Sequence, residues 1–143
     1  LILKPEHVLR VIDHARAEQP DEACGLMGGR DGRVEEVYPL VNVEHSPVRY
    51  LAEPQGQLDV MLEIEGQSWE LVAIYHSHVD APACPSPIDV EMAYFPDAIY
   101  LIVSLADRRN PVLAAFRIRD RRIEEADIVI EIPQTRRRAG QAA

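Results

Sequence analysis

His76 and His78 stand two residues apart, at the end of the apolar run Trp69–Tyr75. Side chains alternate along a strand, so both imidazoles project from one face, roughly 6–7 Å apart along the backbone. That span suits two ligands of one metal ion. A His-x-His pair alone is weak evidence, since most such pairs are surface or satisfied core histidines. Asp89 narrows the choice. It falls in the first turn of a short predicted helix, capped by Ser86 with Pro87 at its first position. A tight loop would bring that turn back to the same strand edge. Two His and one Asp leave a fourth position open, as catalytic zinc requires, whereas structural zinc is closed by four ligands, mostly Cys. An acid there also stabilises a helix N-terminus by about 0.3–1 kcal/mol, and both roles can hold. Metal-assisted hydrolysis further needs a base. Of the nearby acids Asp21 and Glu22, Glu22 leads straight into the apolar strand of DEACGLMGG, where an idle carboxylate would carry a desolvation cost. An exposed strand-end carboxylate is the other reading.

The elements that must position these residues follow from periodicity. Val8, Leu9, Ile12 and Ala15 recur at helical spacing between Pro5 and Gln19. Glu22–Gly28 and Arg33–Leu40 read as strands joined through Gly29–Gly32. Asn42–Pro54 is irregular and suited to covering a site. Leu58, Met61 and Leu62 mark a helix over Gln55–Gln67. Trp69–Tyr75 is apolar at both parities, as a central strand is. After the short helix at Ser86, strands are expected over Ala98–Leu105, Pro111–Arg119 and Arg122–Ile132. This order predicts a single-domain α/β sandwich, with a mixed or antiparallel sheet flanked by helices, over residues 1–133. Residues 134–143, with Arg136, Arg137 and Arg138, read as a flexible basic tail.

Composition excludes other classes. The 143 residues suit one domain, and 47% hydrophobic with 27% charged residues is a globular balance. A net charge of −9 argues against nucleic acid, whose phosphates require a positive footprint. No apolar run reaches the ~18–20 residues of a membrane span. The N-terminal LILKPEHVLR is charged too early for a secretory signal. With only Cys24 and Cys84, no disulfide framework is implied and a reducing cytoplasm is the default.

Glu22, His76-Ser77-His78, seven residues, Ser86, two residues and Asp89 form the pattern E…H-S-H-x7-S-x2-D. This resembles the JAMM motif of the MPN+ metalloproteases, and the order of elements fits that fold along essentially the whole chain. The resemblance implies an MPN/JAB domain of cytidine-deaminase-like architecture and one Zn²⁺ per chain, bound by His76, His78, Asp89 and a water. It implies Glu22 as the general base that passes a proton to the leaving amine, and Ser86 as oxyanion partner. Ser77 would face the other way and fix the strand. The phrases DEACG and IYHSH are most similar to the bacterial stand-alone branch. That branch implies hydrolysis of the amide after the C-terminal Gly-Gly of a ubiquitin-fold sulfur-carrier protein, releasing cysteine. Asn42–Pro54 and Val79–Pro85 would wall the groove for that tail, with the basic stretch 107–122 docking an acidic carrier. A homodimer is left open.

Two other functions stand beside this one. One is deconjugation of another ubiquitin-like modifier; the other is a metal-free MPN scaffold, which loses ligands that are all present here. A zinc nucleobase deaminase is rejected, because Cys84 stands alone in PACPSP and no His-x-Glu occurs. Cys24 and Cys84 are expected to pack. His7 and His14 are expected on a solvated helix face, and His45, Arg49 and Tyr50 are loose candidates for the groove.

Overall fold

The computed structural model describes residues 1–133; the expected basic tail lies outside the described residues. Among the described residues, eight strands and three helices follow in the order β1 (Ile2–Leu3), α1 (Pro5–Glu18), β2 (Cys24–Arg30), β3 (Arg33–Leu40), α2 (Pro54–Gly66), β4 (Glu70–His78), α3 (Pro87–Glu91), β5 (Ile99–Ser104), β6 (Val112–Arg119), β7 (Arg122–Ala126) and β8 (Val129–Ile130). The strands form one mixed sheet, ordered β7-β6-β5-β4-β2-β3-β1-β8. β4 pairs parallel with β5 and antiparallel with β2. It therefore sits mid-sheet, as its two-sided apolar sequence demands.

Alternation along β4 divides its side chains between two cores. Ala73 and Tyr75 join Val11 and Ala15 of α1 with Met27, Leu101 and Val103. Ile74 joins Ile64 of α2 with Leu26, Tyr100 and Ile102 on the other face. The same parity carries His76 and His78 to the α2 face and Ser77 to the α1 face. Gly25, opposite Tyr75 in the β2–β4 ladder, makes room for that ring: a Cβ there would lie 2.3 Å from it. The Tyr75 hydroxyl and the His14 Nδ1 then meet at 2.8 Å. Asp31-Gly32, both at positive φ, close the β2–β3 hairpin, the Asp-Gly signature of a type I′ turn.

Three expectations need correction. The strand expected over Arg122–Ile132 is two strands: β7 pairs with β6, while β8 crosses to the opposite edge and runs parallel to β1. On α2 the buried residue is Ile64, and Leu58 and Leu62 face outward. His7 is buried with Nδ1 accepting from Lys4 N, and His14 is held by Tyr75, so neither lies on a solvated face. Helical period marks a stripe, but tertiary packing chooses which flank of it is covered. No helix among the described residues is long and apolar enough to cross a membrane.

Candidate metal centre

β4 runs through His78, so sheet pairing itself orients both imidazoles: His76 lies opposite Cys24 of β2, and His78 beside Ser104 of β5. The chain returns through 79–85 into α3. There Ser86 Oγ accepts from Asp89 N at 3.1 Å, and Asp89 Oδ2 accepts from Ser86 N at 2.9 Å. This reciprocal cap aims the Asp89 carboxylate at the strand end. His76 Nε2 and His78 Nε2 stand 3.2 Å apart, and Asp89 Oδ2 lies 3.1 and 2.9 Å from them. Ligand atoms around a tetrahedral zinc, with bonds of about 2.0–2.1 Å, are separated by roughly 3.3 Å. The three donor atoms thus form a triangle of the size one face of that tetrahedron needs.

The supporting contacts favour the same use. His78 Nδ1 donates to Pro82 O at 2.8 Å, fixing the ring with Nε2 toward Asp89. The Tyr50 ring stacks on His76, with centroids 4.7 Å apart and planes 24° apart. His76 Nδ1 and Glu22 Oε1 are buried without a hydrogen-bond partner, the second of them beside the triad. Buried polar atoms normally find partners, and unpaired ones gather at functional sites.

Charge follows position. Burial pushes the Glu22 carboxyl up to about 8, against the His78 charge, with Asp89 adding to the rise. Burial also acts to raise Asp89, but hydrogen bonds from His76 and His78 hold it well below the usual carboxylate range. For His78, burial works to lower the imidazole, yet its bonds to Asp89 and Pro82 leave it raised. Glu22, His78 and Ser86 line a cavity of about 340 Å³ together with Val48 and Ala81. An apolar pocket of about 170 Å³ is lined by Cys24, Leu26, Tyr50, Met92, Phe95 and Tyr100.

The structure brings Glu22, His76, His78, Ser86 and Asp89 to one strand end. Ser77 is held as expected: its Oγ accepts from Ala23 N at 2.8 Å. Cys24 is buried, its thiol pushed by burial up to about 12. Cys84 is exposed rather than packed, because its loop is tied down by Pro82 and Ala81 instead. His45 is exposed and points at Asp21, 3.9 Å away, so it does not reach the cavity. Arg108, part of the expected docking stretch, stays exposed but lays its guanidinium back against the 79–85 loop. It donates to Val79 O at 2.5 Å, to Leu105 O, and to Asp80 at 3.0 Å. Arg119 is drawn to Pro96 O and Asp97. Sequence reasoning missed Asn42, whose buried side chain bonds only to main-chain atoms; nothing in NVEHSP signals it.

Fold and comparison together define the class first: a JAMM-type hydrolase. A family model described as prokaryotic homologs of the JAB domain matches residues 4–119, and the chain belongs to that family. The CysO-cysteine peptidase of Mycobacterium tuberculosis is 38% identical over 130 residues, covering 90% of this chain and 89% of that protein. The desampylase of Pyrococcus furiosus is 33% identical over 131 residues, covering 91% of each chain. A solution structure of a Desulfitobacterium hafniense protein superposes with a TM-score of 0.83 at 37% identity, covering 91% of this chain and 92% of that one.

Proposed function

We propose that this chain is a zinc peptidase that cleaves the amide after the C-terminal Gly-Gly of a ubiquitin-fold sulfur-carrier protein, releasing cysteine in the cytoplasm. The observation that carries the hydrolytic half is the convergence of three donor atoms within 2.9–3.2 Å, beside a buried acid with an unpaired oxygen. The substrate half is supported by the 38% identity to a protein named CysO-cysteine peptidase.

In this reading His76, His78 and Asp89 hold one zinc ion per chain. When bound, zinc would supply Lewis acidity for hydrolysis of the amide. Glu22 takes a proton from the attacking water and returns it to the departing amine nitrogen as the C–N bond breaks. An acid displaced upward by burial can give as well as take a proton near neutral pH. The lone pair of Ser86 Oγ is engaged by Asp89 N, which leaves its O–H to donate to the carbonyl oxygen as charge develops there. The cap and the catalytic role use different sides of one hydroxyl. An extended Gly-Gly tail, without side chains, fits between the 42–53 arm and the 79–85 loop, where strand-like pairing can hold it.

The 33% identity to a desampylase supports a second reading, removal of a ubiquitin-like modifier from other proteins. One experiment addresses both. A carrier ending in Gly-Gly-Cys and an isopeptide-linked carrier are incubated side by side and followed by mass spectrometry, with and without chelator. The expected result is loss of one cysteine residue, abolished by chelator and by Glu22→Gln. Cleavage that survives both treatments would overturn the mechanism, and cleavage of the isopeptide alone would replace the substrate.

A further inference from the structure

Glu22 lies two residues before β2 begins, so the β2–β4 ladder does not by itself hold it. Its main chain is gripped instead by the arm that leaves β3. Glu22 N donates to Ser46 O at 2.8 Å, and Glu22 O accepts from Asn42 Nδ2 at 3.0 Å. Asn42 is 6% exposed and spends its whole side chain on the main chain. Nδ2 also donates to Arg49 O at 3.1 Å, and Oδ1 accepts from Glu44 N and Leu51 N, each at 3.0 Å. An amide has two donor hydrogens and an oxygen with two lone pairs, so nothing is left over. Below it, Val43 N to Leu51 O and Glu53 N to Val41 O, each 2.9 Å, close the base of the arm around the Asn42–Ala52 bridge. The far limb of the arm carries Tyr50, the ring stacked on His76.

The geometry points to Asn42 as the positioning residue for Glu22: one buried amide that couples the closed arm to the placement of the base. The inference rests on the reading of Glu22 as general base. Its content is that the base is fixed through its main chain while its carboxyl keeps an unpaired oxygen for proton transfer. No other side chain of this size does the same. Aspartate lacks both donors, serine has a single one and a shorter reach, and alanine leaves Glu22 O and Arg49 O without this partner. A reacting group displaced by about 1 Å loses roughly 100-fold in rate.

The test uses Asn42→Ala and Asn42→Ser in the full chain, with the carrier ending in Gly-Gly-Cys as substrate. Asn42→Ala is expected to lower kcat about 10–100-fold. Zinc content should stay unchanged and KM should move less than kcat. The Glu22 amide hydrogen should exchange faster with solvent. Asn42→Ser should lie between Ala and the wild type, and it carries the comparison alone if Asn42→Ala does not fold. An arm needed only to hold substrate would raise KM and spare kcat. A folded, zinc-replete variant with wild-type kcat overturns the inference. If the wild type leaves the carrier uncut, the functional reading has failed separately. Glu22 amide exchange then tests the tether alone, and exchange unchanged from wild type overturns it.

Discussion

Two buried carboxylates flank one strand end and are treated in opposite ways. Asp89, at the start of α3, has its side chain fixed: its Oδ2 is approached by two imidazole nitrogens and receives the Ser86 amide. Glu22, ahead of β2, has its main chain fixed and one carboxylate oxygen left unpaired. Burial opposes ionisation at both, yet donors overcome it at Asp89 and nothing overcomes it at Glu22, which rises to about 8. A carboxylate locked by donors suits a ligand, and one kept near neutral pH suits a proton carrier. Similar burial thus shifts the two carboxyls in opposite directions, according to which part of the residue the fold holds.

The largest expected effects come from exchanging each acid for its amide. Asp89→Asn should purify with little or no zinc, because it replaces an anionic ligand with a neutral one. Glu22→Gln should keep wild-type zinc content while kcat falls by about 10²–10⁴. Metal analysis after dialysis, beside turnover of zinc-saturated protein, reads both outcomes. Zinc retained by Asp89→Asn and lost by Glu22→Gln would reverse the assignment.

What the sequence showed of this pair was its local part. His76 and His78 are fixed by strand parity, and Ser86 and Asp89 by a capping pattern four residues long. Both signals lie within a single turn or strand, where spacing determines geometry. Glu22 was legible as an acid entering an apolar strand, but its tether was not, because Asn42 becomes a partner only once the arm has folded back 20 residues later. The same limit hid β8. Its pairing with β1 joins the two ends of the described chain, and two-residue strands carry no period. Cys84 was misjudged for a related reason. Composition assigns a residue type to core or surface, while the 79–85 loop selects its anchors by reach.

A smaller effect separates the two acids by pH in metal-free protein. The Glu22 pKa in the folded chain is raised, from 4.5 to about 8. Folding therefore favours its protonated form, and stability is lost as pH climbs from about 5 to about 8. Glu22→Gln removes that loss, so its melting temperature should exceed that of wild type by a few degrees at pH 8.5. The gap should close at pH 5. Asp89 works with the opposite sign. Its pKa is lowered from 3.8 and that of His78 is raised from 6.5, so the pair contributes from above pH 3.8 until His78 deprotonates. Asp89→Asn should accordingly melt below wild type near pH 5–6. Chelated samples scanned calorimetrically at pH 5 and pH 8.5 give the signs directly.

The smallest effect concerns the loop on the ligand side, which has its own anchors. Ser104 Oγ donates to Ala81 O at 2.6 Å, and Arg108 donates to Val79 O and Leu105 O. Next to the Ala81 anchor, Pro82 O receives the Nδ1 hydrogen of His78. In the proposed reading Arg108 would bear on metal binding through one intervening loop, as Asn42 would bear on the placement of Glu22. A partner touching a metal ligand typically changes affinity 10–100-fold, so an anchor one step further out should change it less, by about 3–10-fold. Arg108→Ala should lower zinc affinity by that factor, read by competition with a coloured chelator, and leave kcat of zinc-saturated enzyme within about twofold. Asn42→Ala should do the reverse. If Arg108→Ala lowered saturated kcat and spared zinc affinity, the 79–85 loop would serve the reacting groups rather than the metal. The division between a side chain held for binding and a main chain held for proton transfer would then fail on the Asp89 side.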